Sequence, residues 1–135
     1  MKKVILNKCF GGFKPSRKAY ELYAKKKGLE LYLYELHINN QKTSYHKVNK
    51  SDSIFTMYLT KDYGNVVDSI NNKDRLYLDD SHREDATLIE VVEELGYEAS
   101  SYASLLKIVE IPDDLDYVID NYDGIETLHQ RVQEW

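Results

Sequence analysis

The stretch "NKCFGGFKPSRKAY", residues 7–20, gathers the residue types best suited to holding an anion. Adjacent Gly11 and Gly12 permit positive φ and close backbone approach. Ser16, after Pro15, is a good helix N-cap. A helix N-terminus leaves backbone N–H groups unsatisfied, and its dipole favours negative charge. Lys8, Lys14, Arg17 and Lys18 add full charges, and Ser16 adds a hydroxyl. Phe10 and Phe13 flank the glycines, where they would stack on a base or staple the turn. These residues predict a ligand site for a phosphate or nucleotide, built on Lys8, Phe10, Gly11, Gly12, Phe13, Lys14, Ser16 and Arg17. A tight glycine turn with solvated lysines accounts for the same residues, and both readings stay open. The Gly-x4-Gly-Lys-Ser/Thr spacing of a P-loop is absent, which argues against an NTPase.

Other residues are weighed in the same way. In "SHRED" (81–85), Arg83 would reach a phosphate or pair with Asp85 or Glu84. Tyr122 and Asp123, in "NYDG", read first as a turn and second as pocket residues. Cys9 neighbours Lys8 and a helix start, but no base is near in sequence, so it reads as a strand-end thiol. The acidic run Asp113, Asp114, Asp116, Asp120, Asp123, Glu126 lacks the glycine and terminal glutamate of an EF-hand. The four histidines, His37, His46, His82 and His129, are far apart and form no motif. No metal, no cofactor and no catalytic set is expected, and a non-enzymatic role follows.

Short elements must position these residues. "KVILN" (3–7) is an apolar, β-branched strand. Residues 17–27 carry an apolar stripe, Ala19/Tyr20 and Tyr23/Ala24, with Gly28 at C′ and Lys25–Lys27 in the last turn. "LELYLYELHI" (29–38) alternates at period two, with Leu29, Leu31 and Leu33 on one side and Glu30, Tyr32 and Tyr34 on the other. An edge strand is expected around Tyr45–Val48, a strand at 54–60, and a short strand or extended segment at 75–80. A short helix is expected near 65–71. "SHREDATLIEVVEELG" (81–96) is the clearest helix, capped by a Ser81–Glu84 box or by Asp85, with Leu88, Val91/Val92 and Leu95 buried. Strands follow at 105–112 and at 117–130, the latter a hairpin turning at Asp123–Gly124, with a C-terminal helix at 125–133 as the alternative. Two or three helices and five to seven strands, not strictly alternating, predict an α+β fold. It should be one compact domain over 1–135, with a mixed or antiparallel sheet.

Charge is unevenly divided. Residues 1–50 hold twelve Lys/Arg against three acids, and the remainder holds six against twenty, giving −5 overall. The halves would face each other, pair between subunits as a homodimer or higher homo-oligomer, or leave a basic face for an anion. An acidic chain with no finger or helix-turn-helix pattern is not expected to bind DNA. One cysteine and no long apolar run point to a soluble cytoplasmic protein that does not meet a membrane. The twelve tyrosines read mainly as core-edge and sheet-face residues, with a minority lining a binding surface.

The patterns "KVILNKCFGGF", "LIEVVEELG", "LKIVEIPDD" and "YDGIE" together resemble a family of small uncharacterised phage and prophage proteins. The resemblance is densest at 3–28, 83–96 and 106–126. Relatives often carry Tyr at the place of Phe10, and a His-Arg pair where Val132 and Gln133 stand before Trp135. The resemblance implies a phage accessory protein acting in the host bacterial cytoplasm. Joined to the glycine junction, it predicts a binder that sequesters a nucleotide-type signal and suppresses anti-phage defence. The alternative is a protein-interaction module that inhibits or redirects a host protein.

Overall fold

The computed structural model describes residues 1–49 and 56–131. In chain order the elements are β1 (Lys2–Asn7), α1 (Arg17–Lys27), β2 (Tyr32–Asn39), β3 (Lys42–Lys47), β4 (Thr56–Leu59), β5 (Val66–Val67), β6 (Arg75–Leu76), α2 (Ala86–Leu95), β7 (Leu106–Ile111), β8 (Tyr117–Tyr122) and β9 (Ile125–Gln130). Short 3-10 turns cover Asn72–Asp74, Asp80–His82 and Gly96–Ala99. The fold is α+β, and its nine described strands form three antiparallel sheets. The strand number exceeds the five to seven expected; the unanticipated one is β5, whose two residues are too short for a period-two signal, while the segment expected at 75–80 pairs only over Arg75–Leu76. Val132, Gln133 and Trp135 lie outside the described residues, as do Ile54 and Phe55 of the expected 54–60 strand.

Contacts divide the chain into two compact units, Met1–Ala19 with Leu78–Trp135, and Tyr20–Tyr77. In the first, β1 pairs with β7 along its whole length, and α2 packs on both. Four consecutive β1 residues, Val4, Ile5, Leu6 and Asn7, are buried. That explains an apolar run without alternation, since both faces of the strand are covered. Val4 and Leu6 form a core with Ile111, against which Tyr117, Ile119 and Leu128 of the β8–β9 hairpin pack. Asp123 (φ 50°) and Gly124 (φ 99°) close that hairpin, the paired positive φ values of a two-residue turn. Asp85 caps α2, accepting hydrogen bonds from the N–H groups of Thr87 (2.8 Å) and Leu88 (3.2 Å). Of the two caps expected, this one forms. Ser81 belongs instead to the preceding 3-10 turn, which Asp79 caps.

In the second unit the sheet order is β5-β3-β2-β4-β6. The strand expected at the edge around Tyr45 therefore lies inside the sheet, because Val66–Val67 pairs outside it where a helix was expected. Tyr34, on the non-leucine side of the β2 alternation, is the fully buried residue of that strand. Its hydroxyl donates to the Gly64 carbonyl (2.6 Å) and accepts from the Tyr63 N–H (3.0 Å). The ring stabilises by about 2 kcal/mol through its apolar area, and the hydroxyl is satisfied at the same time. The Tyr20 and Tyr58 rings stack at 3.9 Å. α1 ends in a Schellman pair, Leu29 N–H to the Ala24 carbonyl and Gly28 N–H to the Lys25 carbonyl, with Gly28 at φ 70°.

Candidate functional site

The predicted site residues all belong to the first unit, and the structure gathers most of them at one loop junction. Three segments meet there. They are the loop after β1, the turn between Ser101 and Ser104, and the β8–β9 turn. Gly11 N–H donates to the Asp123 carbonyl (2.9 Å), and Gly12 N–H donates to the Ala103 carbonyl (3.4 Å). A Cβ on Gly11 would lie 2.3 Å from the Ala103 carbonyl oxygen, and one on Gly124 would lie 2.5 Å from the Gly11 nitrogen. The glycine at 11, with φ 131°, is thus required by backbone-to-backbone packing. Gly12 differs, for the nearest atom to its Cβ would be Lys14 Cε at 3.9 Å. The two amides expected to face an anion are directed at carbonyls of the protein.

Beneath the junction lies a nearly solvent-free polar network. Asn7 is fully buried and ties three segments together. Its amide nitrogen donates to the carbonyls of Cys9 (2.9 Å) and Gly124 (2.6 Å), and its Oδ1 accepts from Leu105 N–H (2.9 Å). Glu126 Oε1 accepts from the Asn7 backbone N–H (2.8 Å). Arg83 grips both carboxylate oxygens of Glu126, at 3.2 and 3.0 Å, and also donates to the Ile5 carbonyl (3.0 Å). The edge of β1 away from β7 is therefore closed by Arg83 and Glu126, which meets the hydrogen-bonding demand of its buried backbone. The partner of Arg83 is neither Asp85 nor Glu84, as the sequence suggested, but a residue 43 positions away. Its guanidinium also lies over the Phe13 ring, 5.5 Å from the centroid.

The remaining predicted residues sort by what they face. Lys8 Nζ donates to the Glu126 carbonyl (2.5 Å). Ser16 Oγ accepts from Ala19 N–H (3.2 Å), the cap the sequence foretold, and donates to the Glu98 carbonyl (2.6 Å). Arg17 opens α1, and Lys18 pairs with Glu98 at 3.2 Å. Phe10, Lys14 and Tyr122 are exposed. Tyr102, which the sequence reading passed over, is exposed as well, at 70% beside 61% for Phe10 and 73% for Tyr122. Its signal was a lone aromatic among small residues, "SSYAS". Each of the three segments thus bears one exposed aromatic a single residue from a Gly11 or Gly12 hydrogen bond. Cys9 is half-buried and free.

A second network flanks this one. The Tyr117 hydroxyl donates to Glu84 (2.5 Å), and Lys2 pairs with the same carboxylate (3.2 Å). Burial and then the Glu84 contact push the Tyr117 hydroxyl up to about 12, and the Tyr117 hydrogen bond holds Glu84 below its usual value. Among the described residues no three His, Cys, Asp or Glu side chains are grouped to hold a metal ion. No described helix is long and apolar enough to cross a membrane. No family model, curated protein or solved structure matches the chain.

Proposed function

We propose that this chain is a phage accessory protein acting by binding, in the cytoplasm of a bacterial host, and that it docks on a host protein. One observation carries this reading. Phe10, Tyr102 and Tyr122 stand exposed on three segments that the Gly11 and Gly12 hydrogen bonds hold together. Exposed aromatics on a rigid base suit a protein interface, where Tyr and Trp anchors carry much of the binding energy. A frame fixed by backbone bonds presents them with little ordering cost on binding.

Nucleotide sequestration finds less support in the same geometry. It needs donors aimed outward, yet the Gly11 and Gly12 amides, the Arg83 guanidinium and the Lys8 ammonium all serve internal acceptors. Lys14 stays exposed, and so does Lys18, whose ammonium pairs with Glu98.

The test pairs two experiments on the full chain. Tagged wild type and the Phe10→Ser/Tyr102→Ser/Tyr122→Ser variant are incubated with host lysate. One stoichiometric host protein held by the wild type and released by the folded variant is the expected result. Equal capture by both, or recovery of bait alone, would overturn the reading. Calorimetry against cyclic di- and trinucleotides and cyclic ADP-ribose isomers should show no binding. A dissociation constant below about 10 μM, roughly −7 kcal/mol, would restore the nucleotide reading in its place.

A further inference from the structure

We propose that His37 and His46 chelate one divalent transition-metal ion of the zinc, nickel or copper type on an open sheet face of the second unit. The register of β2 and β3 creates the site. Glu35 lies opposite His46, and His37 lies opposite Ser44. Directly paired residues share a face, as do residues two apart on one strand. Glu35, His37, Ser44 and His46 therefore stand together, with Thr56 of β4 and Val66 of β5 as their outer neighbours. The two imidazole rings lie 4.1 Å apart, centre to centre, with a 32° tilt. Imidazole suits zinc, nickel and copper, with metal–nitrogen bonds of about 2 Å.

The groups around the rings favour ligation. His37 Nε2 is 3.4 Å from Glu35 Oε1, and His46 Nε2 is 2.9 Å from Ser44 Oγ. Metal-binding histidines commonly give their second ring nitrogen to a carboxylate or similar oxygen, which fixes the tautomer and orientation. With the proton on Nε2 in both rings, both Nδ1 lone pairs are metal donors. His37 is about half exposed, so an ion has access. Two protein ligands leave the other positions to water. The hairpin that carries the site turns through Asn40 and Gln41, both at positive φ, which fixes the β2–β3 register. The sequence hid this pair, since nine positions separate the histidines and only strand pairing unites them.

Titration of the full chain with zinc ion alone tests the proposal. One equivalent should bind, and the imidazole NMR signals of His37 and His46 should shift while those of His82 and His129 do not. His37→Asn and His46→Asn should each weaken binding by about tenfold or more, and Glu35→Gln by about tenfold as an orienting partner. His82→Asn and His129→Asn should bind as wild type does. No binding, equal shifts at His82 or His129, or unchanged affinity in both His37→Asn and His46→Asn would overturn it. The wild-type NMR shifts decide the matter even if a variant fails to fold.

Discussion

Glu126 in the first unit and Asp62 in the second each meet a cation at bonding distance, Arg83 at 3.0 Å and Lys47 at 2.5 Å. Their settings differ. The Arg83 and Glu126 side chains are 13% and 4% exposed, against 27% and 49% for Lys47 and Asp62. The buried pair also satisfies the backbone of Ile5 and Asn7, so removing one member orphans several groups. The exposed pair steadies a loop, where Asp62 also accepts the Gly64 N–H (2.8 Å) and water can replace the lysine. The contrast shows that a cation's proximity to a carboxylate says little until burial and shared acceptors are counted. It also shows why the cations of the glycine junction are poor witnesses for a ligand. The most convincing of them, Arg83, is bound to its own fold.

The largest effect should come from Arg83→Ala, which leaves the Glu126 carboxylate buried and unpaired. Urea unfolding should show a loss of about 3–5 kcal/mol. Arg83→Lys should recover only part of it, because an ammonium cannot reproduce the two-pronged grip. Lys47→Ala should lose less than about 1 kcal/mol. Equal losses at Arg83 and Lys47 would remove the contrast.

Glycines sharpen the same comparison. Gly124→Ala and Gly11→Ala drive a Cβ into backbone at positive φ and should each lose about 2–3 kcal/mol in the same assay. Gly64→Ala in the second unit meets open space and bears only the strain of φ 91°, about 1–2 kcal/mol. Gly12→Ala should stay within about 0.5 kcal/mol of wild type.

Titration gives the most local effect. The folded Tyr117 hydroxyl holds its proton to about 12, above the ordinary tyrosine value of about 10. Above pH 10 the unfolded chain therefore binds fewer protons at this site than the folded one. The contribution is complete below pH 10 and is lost as pH rises toward 12. Tyr117→Phe should flatten that part of the stability profile. Asp62 behaves oppositely. The Lys47 hydrogen bond, and then the Gly64 N–H, lower its value, so its contribution holds above about pH 4 and fades on acidification. Lys47→Ala should shrink the acid-side loss.

The sequence made some elements legible and hid others for physical reasons. α1 announced both its ends, because Ser16 and Gly28 act within one turn of the helix. The Asp123–Gly124 hairpin was equally plain, since its turn chemistry is local. β5 was hidden, because two residues carry no period and its pairing depends on β3, well before it in the chain, whereas the segment expected at 75–80 was found but pairs only over its first two residues. The phase of β2 was visible but its buried side was not, for the hydroxyl of the buried Tyr34 finds its partners in the distant loop at Tyr63–Gly64. At the junction, the glycines were found without their reason. Gly11 is a glycine on account of Ala103 and Gly124, more than ninety positions away. Asn7 and Glu126 gave no sign of their shared network, and Tyr102 stood in a loop with no pattern to mark it.

Amide hydrogen exchange at Gly11 tests the central claim most directly. With its N–H given to the Asp123 carbonyl, this amide should exchange slowly in the free protein, and added cyclic nucleotides should leave its rate unchanged. Rapid exchange in the free protein, slowed by a nucleotide, would mean that the amide faces a ligand and that the junction is open, contradicting the account.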